Sequence, residues 1–314
     1  HTDTGNDVLL DNTSILVTDR DGDTASSNLS IQIVDDVPEI SIAATPNTVV
    51  EGESLTTGTW ELNAGADGAT VAVIVGGVSY ALGEEIDTGK GLLTVANDGS
   101  WSFVAADNLD HDTLQQVSFT LKATDGDQDV DEATQTITIT DGNEPEWGGE
   151  VNSADLTVDE AALSVLGGDT GTDPTSLAET DSSGTLQFKA GSDAIDSIVF
   201  GDPGDISIAG IDTDNMVWTL SLDGRTLTGA VGGEDVLKLT LEGASSVAVD
   251  GTGNVTVKAE LLGNLLHQDD PNAGSLVVSG ITVVGADDDG DSLTANVSVT
   301  VNDDAPDISI AATP

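Results

Sequence analysis

Apolar and polar residues alternate with a period of two through most of the chain. Gln115–Ala123 reads QQVSFTLKA and Ala133–Ile139 reads ATQTITI, rich in β-branched and aromatic residues. That period puts one set of side chains on the buried face of a strand and the other in water. The turn Asp125-Gly126-Asp127-Gln128-Asp129 lies between the two runs, so they predict a hairpin. Leu92–Ala96 and Ser100–Val104 predict another, joined through Asn97-Asp98-Gly99, residues that tolerate positive φ. Val217–Leu222, Asp223-Gly224 and Arg225–Ala230 repeat the device, and Gly232-Gly233 leads into Val236–Leu241. No run has a convincing helical period. Short strands with Gly/Asp turns roughly every eight to twelve residues predict an all-β chain of antiparallel sandwiches.

One ending occurs three times. Asp35-Asp36-Val37-Pro38-Glu39-Ile40-Ser41-Ile42-Ala43-Ala44-Thr45-Pro46 returns 268 residues later as Asp303-Asp304-Ala305-Pro306-Asp307-Ile308-Ser309-Ile310-Ala311-Ala312-Thr313-Pro314. A weaker copy, Asp141-Gly142-Asn143-Glu144-Pro145-Glu146, lies between them. Each is preceded by a histidine (His1, His111, His267), an alternating run, an acidic loop and a second alternating run. The loops are Asp19-Arg20-Asp21-Gly22-Asp23, Asp125-Gly126-Asp127-Gln128-Asp129 and Asp287-Asp288-Asp289-Gly290-Asp291. First loop Asp and junction Asp are 16 residues apart in all three: 19 to 35, 125 to 141, 287 to 303. Self-similarity of this kind signals a repeated module. It parses the chain into 1–37, the last two strands of a preceding domain; 38–145, a complete domain; 146–305, a larger one; and 306–314, the start of the next. The chain is therefore expected to be a piece of a longer tandem array.

Charge narrows the function. Among 314 residues, 57 are Asp or Glu and 7 are Lys or Arg, a formal net charge of −50. Nucleic acid and anionic membrane both need basic side chains, so neither is an expected partner. Metal cations are the natural partners. Hydrophobic content of 38% supports packed cores, and an aromatic share of 3% makes them thin and aliphatic. With no cysteine, disulfides and thiolate metal sites are excluded. Three His and one Tyr supply little nucleophile–base chemistry, and no apolar run approaches the length of a membrane span.

Three carboxylates in an Asp-x-Asp-x-Asp loop repel one another unless a cation neutralises them. Calcium, which takes six to eight oxygens in flexible geometry, suits them better than magnesium; zinc would want His or Cys. If the loop joins the last two strands, the final strand, roughly ten residues at about 3.3 Å each, carries the chain to the opposite end of the domain. In a head-to-tail array the junction acids of one domain then meet the acidic loop of the next. Asp35 and Asp36 are expected to face Asp125, Asp127 and Asp129. Asp141 and Glu144 are expected to face Asp287, Asp289 and Asp291. Asp19, Asp21 and Asp23 form the equivalent loop of the preceding domain, and Asp303 and Asp304 the next junction. Glu51 with Glu53, and Asp159 with Glu160, follow the first strand of each complete domain and are expected to return to its far end as further calcium ligands. The other reading of any one such loop is a solvated acidic turn. Asp202/Asp205 and Asp212/Asp214 are read as such turns.

Asp-Asp-Val-Pro-Glu and Asp-Asp-Ala-Pro-Asp resemble the calcium-binding linkers between cadherin domains. Gly91–Phe103 (GLLTVANDGSWSF), followed by Asn108-Leu109-Asp110-His111, resembles the cadherin-like repeats of giant bacterial surface adhesins. Val158-Asp159-Glu160-Ala161, Gly184–Ala190, Trp218–Gly229 and His267 through Pro306 are similar to the longer repeats of type I secreted, RTX-type adhesins. The resemblance implies Ig-like and cadherin-like sandwiches stacked in a linear rod, stiffened by calcium between neighbouring domains of the same chain. It implies a stalk in cell adhesion or biofilm formation, holding a terminal ligand-binding domain away from a Gram-negative cell surface after type I export. Two features depart from it. Gly142 stands where the second junction Asp belongs, leaving Asn143 or Glu144 to substitute, and the glycine-rich nonapeptide calcium repeats of such proteins are absent.

The leading expectation is therefore a structural, non-enzymatic extender. The alternative is a calcium-dependent glycan- or peptide-binding module, for which Thr170–Asp181 and Ser192–Asp214 of the larger domain are expected to supply long loops. A two-carboxylate glycosidase lacks both an apolar setting for a raised carboxylate pKa and aromatic subsite walls. The four Trp are read as core or junction-packing residues, and the three His as structural.

Overall fold

A computed structural model of the chain describes residues 8–34, 36–52, 55–163, 181–209, 216–265 and 274–303. The described residues are strands and turns, with two single-turn 3₁₀ segments, Glu160–Ala162 and Pro203–Asp205. The chain divides into two compact units between Asp141 and Gly142.

The first unit opens with a hairpin, β1 (Val8–Thr18) and β2 (Thr24–Val34), whose strands pair only with each other. A sandwich follows. One sheet has the order β3 (Glu39–Ile42), β5 (Leu55–Asn63), β10 (Ser100–Ala105), β9 (Gly91–Val95) and β8 (Glu85–Asp87). The other has the order β4 (Thr48–Val50), β12 (Val130–Thr140), β11 (Gln115–Asp125), β6 (Ala69–Val75) and β7 (Val78–Ala81). All pairs are antiparallel except β4 with β12. These are the A-B-E-D and G-F-C faces of an immunoglobulin sandwich, with the first strand split so that its second part joins the other sheet. Alternation makes the core: along β11 Val117, Phe119, Leu121 and Ala123 are all buried, and Ser118, Thr120 and Lys122 point outward. In place of a disulfide, Trp101 of β10 meets Phe119 of β11 edge to face across the sheets, centroids 5.5 Å apart.

The second unit repeats the plan with additions. One sheet runs β13 (Glu146–Trp147), β15 (Asp181–Lys189), β21 (Thr252–Leu261), β20 (Glu234–Gly243), β19 (Thr226–Val231) and β18 (Met216–Leu220). The other runs β14 (Ser153–Asp159), β23 (Ser292–Asn302), β22 (Ser275–Ala286) and β16 (Ser197–Phe200), and β17 (Ser207–Ala209) pairs β22 beside it. Again one pair is parallel, β14 with β23. The β18–β19 hairpin widens the first sheet. Arg225, just before β19, ties the sheets together: its guanidinium donates to the carbonyls of Ile198 (2.8 Å) and Leu241 (3.1 Å), one in each sheet.

The hairpins read from the sequence form with small changes at their ends. Over its described part, 192–209, the expected loop-rich segment also contains the short strands β16 and β17. Ile198, Phe200 and Ile208 are buried there at 0, 2 and 5% exposure, so this segment extends the core. Residues 164–180 and 210–215 lie outside the described residues, and with them most of Thr170–Asp181 and the Asp212/Asp214 pair. Asp202 and Asp205 are exposed in a 3₁₀ turn.

Candidate metal centres at the ends of each sandwich

The three acidic loops adopt one backbone form. The first Asp N–H donates to the carbonyl of the fifth residue: Asp19 to Asp23 (2.9 Å), Asp125 to Asp129 (3.1 Å), Asp287 to Asp291 (3.1 Å). The fourth residue is left-handed in each, with φ of 100° at Gly22, 87° at Gln128 and 100° at Gly290. This closed turn gathers the carboxylates. In Asp19/Asp21/Asp23, Asp125/Asp127/Asp129 and Asp287/Asp289/Asp291, one oxygen from each residue lies within 4.8 Å of the others.

Exposure separates the loops. The first is open to solvent, and there a hydrogen bond from Asp21, aided by backbone N–H groups, holds Asp19 below the usual carboxylate range. Asp125 and Asp129 are buried, at 7 and 3% exposure. In the third loop, burial foremost, then the hydrogen bond and charge of Asp289 and the charge of Asp291, push Asp287 up to about 7. Asp287 Oδ1 and Asp289 Oδ1 are buried without a hydrogen-bond partner. A cation would supply what both oxygens lack.

The shift carries a sign. With Asp287 at about 7 in the folded chain against an ordinary 3.8, the folded state holds more protons than the unfolded one between those values. Metal-free stability contributed by this group is therefore expected to fall as pH rises from about 4 to about 7. A cation bound there would have to displace the proton. Titrating calcium into the chain near pH 6 in buffers of different ionisation enthalpy is expected to show proton release that fades above pH 8. Buffer-independent heats at pH 6 would contradict this.

At the same end of each sandwich a turn missed in the sequence brings a further Asp beside the loop. After β5 the chain reads Ala64-Gly65-Ala66-Asp67, and after β15 it reads Ala190-Gly191-Ser192-Asp193. Asp67 packs against Gly126 inside the second loop. Asp193, 3% exposed, brings an oxygen within 4.8 Å of Asp289. The turns also hold the linkers. The Asp36 carboxylate accepts the Ala66 N–H at 2.7 Å, and the Asp131 carboxylate accepts the Ile40 N–H at 2.8 Å. In the second unit the Asn143 carbonyl accepts the Ser192 N–H at 3.0 Å, and the Asn143 N–H donates to Ser192 Oγ. A Cβ on Gly65 would overlap the Asp36 carboxylate, and one on Gly191 the Asn143 carbonyl, so glycine at these positions admits the linker. Asp36 thus shares an end with Asp125, Asp127 and Asp129, though its oxygens are not among the three gathered there. Glu144 follows Asn143 along a polar groove of about 560 Å³ that Lys189 and Asp250 also line.

The opposite ends are also built alike. Glu51 directly follows β4 and Glu160 directly follows β14, the two strands that run parallel to a last strand. Both are buried, at 3 and 4% exposure. Glu51 Oε2 accepts the Leu109 N–H (3.1 Å), and Glu160 Oε1 accepts the Leu265 N–H (2.7 Å). Each leucine stands two residues before a histidine, His111 or His267. Glu51, His111 and Asp141 offer ligand atoms within 4.8 Å of one another. His111 Nδ1 lies 2.6 Å from the Leu109 carbonyl, which can only accept, so the proton sits on Nδ1. Asp159 accepts from Ala161 N–H (2.9 Å) and Asn302 Nδ2 (3.3 Å), and Asp303 N–H donates to Gly274 (3.2 Å). Asp35, Glu53, Asp304 and His267 lie outside the described residues.

Among the described residues no helix is long and apolar enough to cross a membrane. No protein family matches the chain, and no curated protein does. Solved structures similar to it include tandem cadherin and Ig domains. Protocadherin Gamma B2 extracellular cadherin domains 1–5 are 17% identical at a TM-score of 0.30, covering 94% of this chain and 46% of that one. Drosophila N-cadherin EC1-3 is 12% identical at 0.23, covering 88% and 73%. DIP-gamma IG1+IG2 is 12% identical at 0.26, covering 85% and 99%. Scores this low carry no argument; the architecture rests on the chain's own sheets.

Proposed function

We propose that this chain is a non-enzymatic extender segment of an extracellular, calcium-dependent adhesin, its sandwiches held to their linkers by calcium. The observation that carries the reading is the repeated end: an acidic loop, an Ala-Gly-x-Asp turn abutting it, and a linker hydrogen-bonded to that turn, through the Asp36 side chain in the first unit and the Asn143 backbone in the second. A cation there would be held by Asp125, Asp127 and Asp129 with Asp67, and by Asp287, Asp289 and Asp291 with Asp193. Asp36 and Glu144 are the linker candidates. At the far ends, Glu51 and Asp141, and Glu160 and Asp303, are the candidates. The oxygen-only sets at the loops suit calcium, and His111 stands beside Glu51 and Asp141 at the far end of the first unit. The setting on a bacterial surface, with type I export and a role in biofilm, comes from the resemblance of the repeats.

A second reading, calcium-dependent capture of a glycan or peptide, has the groove beside Glu144 in its favour. Its one nearby ammonium, Lys189, is already paired with Glu146 at 2.5 Å. Glycan and peptide arrays probed with the chain in calcium separate the two. The extender reading expects no specific capture; calcium-dependent capture lost on Lys189→Ala would favour the second.

A further inference from the structure

The oxygen-only loops have no use for the histidine that recurs in each repeat. In the first unit it joins a different donor set. Glu51 directly follows β4, His111 lies just ahead of β11, and Asp141 directly follows β12. One ligand atom of each lies within 4.8 Å of the others. Among the described residues this is the one cluster of candidate ligands with a nitrogen donor; the other clusters are all Asp.

The backbone of Leu109 sets two of the three side chains. Its N–H donates to Glu51 Oε2 at 3.1 Å, and its carbonyl accepts from His111 Nδ1 at 2.6 Å. Nδ1 also stands 3.6 Å from Glu51 Oε2. With the proton on Nδ1, the ring's lone pair is on Nε2. Nε2 is buried and has no hydrogen-bond partner. A histidine that ligates a metal gives its other ring N–H to a carbonyl or carboxylate, which fixes its tautomer and its orientation. His111 has that bond and, on the opposite nitrogen, a buried lone pair that a cation would satisfy. A histidine kept only for its bond to Leu109 has no need of the second feature. The sequence of the second unit carries the same residue types in the same order. Asn264-Leu265-Leu266-His267 matches Asn108-Leu109-Asp110-His111, and Glu160 accepts the Leu265 N–H as Glu51 accepts that of Leu109.

We propose that the far end of the first unit takes zinc rather than calcium, held by His111 Nε2 with carboxylate oxygens of Glu51 and Asp141. This rests on the reading of that end as a metal centre and changes its metal. Calcium takes oxygen ligands. Zinc takes imidazole nitrogen and carboxylate oxygen together, and three protein ligands leave its fourth position to water. Zinc here would tie the ends of β4 and β12 to the segment that enters β11. The chain would then use two cations, calcium at the acidic loops and zinc at the opposite end.

The test titrates zinc chloride calorimetrically into the full chain held in millimolar calcium, for the parent and for His111→Asn. The Asn amide keeps a donor near the place of Nδ1 and has no counterpart of Nε2. The parent is expected to bind zinc with calcium present, and the variant to bind one equivalent fewer while keeping its calcium-induced rise in unfolding midpoint. On the parent alone, NMR is expected to show the nitrogen resonance of His111 Nε2 shifting on zinc while Nδ1 keeps its proton. An Nε2 resonance unmoved by zinc, equal zinc binding by parent and variant, or zinc binding abolished by millimolar calcium would overturn the zinc site and leave the calcium loops standing. A calcium-induced rise missing from the parent would overturn the calcium reading instead, and zinc lost with His111 would still support this site.

Discussion

Adding millimolar calcium to chelator-treated protein is expected to raise its unfolding midpoint by on the order of 15 °C or more. A net charge of −50 opposes compaction. Asp125 and Asp129, at 7 and 3% exposure, hold part of that charge out of water. A ligand that binds only the folded chain stabilises it by about 4 kcal/mol at a thousand times its Kd. A domain of about 100 residues shifts by roughly 4–8 °C per kcal/mol. Magnesium, which keeps its waters and demands octahedral geometry, is expected to substitute poorly. Asp125→Asn with Asp129→Asn is expected to remove most of the calcium shift from the first unit and spare the second. Asp287→Asn with Asp289→Asn is expected to do the reverse. Superimposable melting curves in calcium and chelator would contradict the proposed sites.

Much of the fold was legible because alternation is a local signal. Val117, Phe119, Leu121 and Ala123 announce a buried face without knowledge of what covers it. The acidic loops were legible because three copies at one spacing stand out even among 57 acids. Glu51 and Glu160 could be assigned to the far end by counting strand lengths. Their bonds to Leu109 and Leu265 could not, since partners 58 and 105 residues away are joined only by the folded sheets. Asp67 and Asp193 were missed for a similar reason. Each is a lone Asp, and its proximity to a loop comes from the end of β5 or β15 reaching the turn that joins the last two strands. The signal was the repeated Ala-Gly-x-Asp after a strand. The short strands β16 and β17 were hidden by the Pro, Gly and Asp around them. Their few apolar residues show no period, and only their pairing with β22 identifies them, with Ile198, Phe200 and Ile208 buried.

Without metal, like charge on two sandwiches joined by a linker such as 141–146 is expected to repel without fixing an angle. Calcium shared between linker acids and an acidic loop would replace repulsion with metal–oxygen bonds. The most direct measurement is small-angle X-ray scattering of the chain in calcium and in chelator, on the parent and on the Asp287→Asn, Asp289→Asn variant. The expected result is one narrow distribution of shapes for the parent in calcium and a broader one in chelator, with the variant remaining broad in calcium. Identical profiles in calcium and chelator, or a variant as narrow as the parent, would contradict calcium stiffening at this linker.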